Sequence, residues 1–258
     1  MTTGPDIPAV PHERLENPPL KAMLGQVRFP SILRVADIAA VAPFQEALRD
    51  DFPEFAQEQQ VSVVIGPEGP QQPVAGRSYR FATSDRTWSV VLAPDSMTVE
   101  AGPGQYTSYQ AFRQRFASVW EAVVTQFGPT KIIHQGLRYI DHIEREFEGP
   151  EWARLINREL LGALAGERLS SGLLHSVADM RFQRPDGLLF FKHGITRAGP
   201  ENTIGYLLDF DYFTQEPIED LEVESLMQRF DTFHELLYAF FRWCVTDEAI
   251  EEFRRAGA

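Results

Sequence analysis

The chain has 258 residues, 43% of them hydrophobic and 12% aromatic, which is the composition of a folded globular protein and excludes a disordered one. With 37 acidic against 24 basic residues the formal charge is -13, a field that repels nucleic-acid phosphates and anionic lipid, so neither direct nucleic-acid binding nor a membrane partner is expected. The single cysteine, Cys244, excludes an internal disulfide, and the N-terminus has no basic start followed by an apolar run, so a cytoplasmic, reducing location is expected.

Residues 1–19 are polar and rich in proline and read as a flexible or extended lead-in. "LKAMLGQVRF" reads as a strand stopped by Pro30. Phe44, Leu48 and Phe52 recur every four residues, which predicts a helix over 44–52. "VSVVI" (61–65) reads as a strand, and 66–76, full of Pro, Gly and Gln, as a loop. "RSYRFAT" and "WSVVLAP" form a hairpin through Ser84 to Arg86, and "SMTVEA" follows as a further strand. After a loop at 101–106, Ser108 can cap a long helix to about Phe127, whose stripe is Phe112, Phe116, Val119, Val123 and Phe127.

Gly128-Pro129 is the strongest punctuation, and the order of elements then begins again. "KIIHQGLRYIDHIE" reads as a strand, 152–164 as a helix, "LLHSVADMRFQ" and "GLLFFKHGITR" as strands around the turn "RPDG", "GYLLDFDYF" as a strand, and 226–246 as a closing helix. The expected fold class is α+β, with antiparallel sheets packed against long helices. The halves 20–129 and 130–258 can be read as a pseudo-duplication within one integrated domain. Arg28 in "QVRFP" and Arg138 in "GLRYI" fall at matching places.

Asp209 and Asp211 are the residues that raise a chemical question. Side chains alternate along a strand, so the two carboxylates share the face away from Phe210, roughly 6–7 Å apart. That spacing suits the wet side of a sheet, a grip on one ion, or an acid and a base. Arg138 is the natural ion-pair or ligand-orienting partner, and Arg28 is its counterpart in the first half. His234, one step off the apolar stripe of the last helix, completes the catalytic candidates. His134, Arg138 and His142 share a strand face, but eight residues span roughly 26 Å, so the histidines cannot hold one metal. No metal and no cofactor is therefore expected. Cys244 lies on the apolar stripe and reads as a small buried hydrophobe. From Glu201 to Glu224 there are eight acids and no lysine or arginine, which serves either as helix capping and solubility or as a docking surface for a basic protein partner. A small ligand between the halves is the other partner the pattern allows; the oligomeric state is not legible.

"NPPLKAMLGQVRFP", "FQEALRDDFPEF", "YTSYQAFRQRF", "GLRYIDHIE", "LLDFDYF" and "FHELLYAFFRWCVTDEAIEEF" together resemble the TIGR04255 family, a sporadically distributed prokaryotic family of about this length. The likeness runs from Asn17 to Phe253, with Lys21 and Ala22 where an acidic residue is expected. It implies no settled activity and no catalytic residue; the family's patchy distribution implies a mobile defence or toxin-antitoxin type of module. The expected function is a non-catalytic binding or regulatory protein, set against a metal-dependent hydrolase working at Asp209 and Asp211.

Overall fold

A computed structural model describes residues 7–62, 65–66, 69–70, 74–102, 108–147, 149–166, 168, 172–198 and 202–255. The chain is mixed α+β, built from antiparallel sheet and helices. It forms two compact units, neither continuous in sequence. One contains residues 24–136 and 215–229; the other contains 1–23, 137–214 and 230–258. This differs from the sequence division after Pro129, because strands β1 (Leu20–Arg28) and β8 (His134–Glu144) each run from one unit into the other.

In the first unit the strand order is β2-β5-β6-β7-β1, with β2 Glu54–Ser62, β5 Val74–Ala82, β6 Trp88–Ala93 and β7 Ser96–Ala101. The hairpin expected at 84–86 joins β5 and β6, pairing Ala82 with Ser89, and Arg86 takes a left-handed φ of 57°. β2 begins well before the expected strand, because its polar start, "EFAQEQQ", carries no apolar alternation. Within the expected loop at 66–76, residues 67–68 and 71–73 lie outside the described residues, and β3 (Ile65–Gly66) pairs with β4 (Gly69–Pro70). Helix α1 (Ile38–Leu48) starts earlier than expected because the Asp37 side chain accepts a hydrogen bond from the Ala39 amide. Phe44, Leu48 and Phe52 are all buried, and Phe44 meets Phe81 edge-on at 5.4 Å. Helix α2 (Tyr109–Phe127) is capped by Ser108, whose Oγ accepts from the Ala111 amide, and ends at Gly128 with φ 59°.

The second unit carries the strand order β8-β11-β10-β9, with β9 Ser176–Arg184, β10 Gly187–Ala198 and β11 Thr203–Phe213. The helix expected over 152–164 is broken. A 3-10 turn at Gly149–Arg154 is followed by a single α turn, α3 (Arg158–Leu161), and another 3-10 turn at Gly162–Ala165. Asn157 restarts the helix by accepting from the Glu159 amide, and Gly162 at φ 49° stops it.

Helix α4 (Val223–Cys244) begins in the first unit and, from Phe230 onward, belongs to the second. There it covers one face of the sheet. Phe240 packs against Phe191 at 4.7 Å and Phe210 at 5.3 Å, while Phe191 and Phe210 stack at 4.9 Å; such pairs add about 1 kcal/mol each beyond area burial. Beyond the closing helix expected over 226–246, a further short helix, α5 (Asp247–Arg254), is capped by Thr246. Of the lead-in, residues 1–6 lie outside the described residues, but the rest is fastened to these helices. His12 bonds Glu235 at 3.0 Å, the Glu13 amide donates to the Tyr238 hydroxyl at 3.1 Å, and the Asn17 amide donates to the Phe253 carbonyl at 2.8 Å. Among the described residues, no helix is long and apolar enough to cross a membrane.

Candidate functional site

Alternation along β11 sends Tyr206, Leu208, Phe210 and Tyr212 toward the helices, all buried. Leu207, Asp209, Asp211 and Phe213 therefore point to the opposite, open face. The two aspartates project together, as the sequence reading requires. Pairing with β10 extends the face: Asp209 lies opposite Lys192, Asp211 opposite Phe190 and Phe213 opposite Leu188. β9 adds Asp179 beside Lys192 and Arg181 beside Phe190. One row across the sheet thus reads Arg138, Asp209, Lys192, Asp179, alternating in sign.

Asp209 is only 7% exposed. Its carboxylate is gripped by Arg138, Nε to Oδ1 at 2.8 Å and Nη2 to Oδ2 at 2.7 Å. This is the two-pronged geometry a guanidinium makes with a carboxylate, and both oxygens of Asp209 are engaged by it. Asp209 in turn holds the guanidinium of Arg138, which keeps 40% of its side-chain surface exposed, firmly in its charged form.

Asp211 differs. It is half-buried and takes no hydrogen bond among the described residues. Burial pushes its carboxyl up to about 6; Arg138 and Lys192 pull it down and Asp209 pushes it further up. It sits in an aromatic frame. Phe190, directly opposite, meets Phe213 edge-on at 4.9 Å, and the Arg181 guanidinium lies over the Phe190 ring at 4.8 Å. The result is a partly desolvated carboxyl edged by two aromatic rings, with the Arg138 and Lys192 cations near it.

The remaining candidates lie elsewhere. His234, on α4, stands on the helix-covered face, where the Tyr139 hydroxyl meets its Nδ1 at 2.9 Å and the His12 ring lies tilted beside it at 4.7 Å. Burial, aided by His12, pushes it down to about 3, so it is neutral near pH 7 and is not brought to the aspartates. Arg28 belongs to the other unit and pairs with Asp95 at 3.1 Å. His134 is pushed down to about 4 by burial and by Arg28. Cys244 is fully buried, and burial pushes its thiol up. Of the acidic stretch, Glu201 lies outside the described residues, Glu224 accepts from Arg113 at 2.9 Å, and Asp220 caps the chain by accepting from the Glu222 amide. Among the described residues no three His, Cys, Asp or Glu side chains are grouped to hold a metal ion.

Asp141 is the residue the sequence reading passed over. It shares a strand face with Leu137, Tyr139 and Ile143, on the helix-covered side, and is 5% exposed. Burial, with the nearby Asp209 charge, pushes its carboxyl up to about 8. Its parity with Leu137 and Ile143 is the signal that could have placed an acid in the core.

No family model matches the chain, and no curated protein matches it.

Proposed function

We propose that the protein is a non-catalytic binding protein with a regulatory role, and that the open face of β8-β11-β10-β9 receives its ligand. The observation that carries this reading is Asp211: a half-buried carboxyl with no hydrogen bond among the described residues, bordered by Phe190 and Phe213. A group kept in that state loses hydration without compensation, and a ligand offering an N–H donor beside a flat apolar surface compensates it. Guanidinium and amine groups on a basic peptide or a small molecule have this chemistry. The acids from Glu216 to Glu224 supply, on this reading, a second contact for a basic protein partner. The resemblance described above favours a component of a mobile module, an argument by association.

The metal-dependent hydrolase is the second reading. A carboxyl near 6 suits general acid–base work. Against it, both oxygens of Asp209 already accept from Arg138, so an ion shared with Asp211 would have to compete with that guanidinium. Thermal-shift measurements with Mg2+, Mn2+, a polyamine and an arginine-rich peptide separate the two. Stabilisation of the native chain by the organic cations, lost in Asp211→Asn, supports the binding reading. Stabilisation by a divalent ion alone favours the hydrolase, and no shift with any of them removes the binding reading.

A further inference from the structure

We propose that β9 is a self-association edge, through which two copies of the chain pair antiparallel about Met180. Among the described residues β9 ends the strand order of its unit, with β10 as its one paired neighbour. A strand in that position presents a row of backbone donors and acceptors on its outer side, which another strand can complete. Asp179, Met180 and Arg181, at its middle, are exposed, Met180 to 37%.

The sequence of β9 selects the occupant and the register. Residues facing each other across an antiparallel pair must point to the same face, so a two-fold pair has to be centred on a residue. Centred on Met180, Asp179 of one copy faces Arg181 of the other, twice by symmetry, on the open face. On the helix-covered face Met180 meets its own counterpart, Ala178 faces Phe182, and the apolar side chains continue across the axis. Moving the centre one residue either way sets Asp179 against Asp179 or Arg181 against Arg181, and like charges directly opposite are unfavourable. One register is thus self-complementary and its neighbours are repelled. Within one chain Asp179 and Arg181 lie 3.6 Å apart and well exposed, a weak pair that is free to exchange for the cross-strand one. The exchange also prolongs the alternating row Arg138, Asp209, Lys192, Asp179 by a cation from the second copy.

Sedimentation velocity over a concentration series tests this with the full chain. The native protein is expected to dimerise, and Asp179→Arg or Arg181→Asp alone to weaken the dimer about a hundredfold. Mixing the two single variants restores a dimer, because the first then carries two cations and the second two anions at the axis. The double variant D179R/R181D, unchanged in net charge, also dimerises. This keeps the test open if one single variant folds poorly. A native chain that stays monomeric overturns the proposal and leaves the edge to another protein or to solvent. Single reversals that leave the dimer intact, or a mixture of the two that stays monomeric, overturn it too.

Discussion

Arg138 grips Asp209 by two nearly equal hydrogen bonds, 2.8 and 2.7 Å, while the guanidinium remains 40% exposed and the carboxylate is almost wholly buried. The two partners are therefore unequal. Replacing Arg138 by Ala strands a buried anion, and a loss of about 2 kcal/mol is expected, discounted from the fully buried case for the exposed guanidinium. Asp209→Asn leaves a cation that water can still reach, so it costs less. Urea denaturation of the two variants at one pH measures the order; equal losses contradict this account.

The pH dependence of stability follows from opposed groups. Asp141 and Asp211 are raised to about 8 and about 6 in the fold, so the folded state holds protons that the unfolded chain releases near pH 4. Their effect is a loss of stability as pH rises toward those values. His134 and His234 are lowered to about 4 and about 3, so they withdraw stability as pH falls below about 6.5. Below that pH the two sets oppose each other. Above about pH 7, where the unfolded histidines have mostly lost their protons, Asp141 is the largest contributor among these four, and stability is expected to fall by up to about 1 kcal/mol per pH unit toward pH 8. Asp141→Asn removes that slope. Denaturation curves at quarter-unit intervals check it, and a native profile that stays flat from pH 7 to 8 contradicts it.

Gly194 lets β9 lie close against β10. Its φ is +143°, and a Cβ there would stand 1.9 Å from the Ser176 carbonyl oxygen. Gly194→Ala must move backbone rather than a flexible side chain, and a cost of about 3 kcal/mol is expected, with faster amide exchange along β9. Hydrogen-exchange mass spectrometry localises the effect; unchanged protection of 176–184 argues against it.

The lead-in shapes the chemistry of His234. His12 stacks on Tyr238 at 4.0 Å, and Glu13 accepts from Arg254 at 2.7 Å. Removing residues 1–14 uncovers the His234 ring and takes away the His12 charge, so its pKa is expected to climb toward about 6.5. Imidazole NMR of the native chain should show His234 unprotonated at pH 5. A ring that titrates alike in both proteins contradicts the prediction.

Much of the site could be read in advance because strand parity is a local property. Asp209 and Asp211 take a common face from their spacing alone, and Arg138 is singled out as a cation on another strand. What escaped depends on tertiary context. Asp141 has the parity of Leu137 and Ile143, but that this face of β8 is the covered one depends on α4, where Tyr139 meets His234. The helix expected at 152–164 fails at Asn157 and Gly162, two residues whose capping chemistry outweighs the apolar spacing around them. β2 begins in a polar run because its place is fixed by pairing with β5, residue by residue from Glu54 with Ala82. His12 and Glu13 are held by side chains some 220 to 240 positions away, a separation no window of sequence can span.

The carboxyl of Asp211 offers the most direct measurement. With 13C-labelled aspartate, the native chain is expected to show one carboxyl resonance with a midpoint near pH 6 that is absent from Asp211→Asn, distinct from the buried Asp141 near 8. An Asp211 signal that titrates at the ordinary aspartate value, about pH 4, would mean a hydrated side chain with no unmet need for a donor, and the binding face argued here would lose its centre.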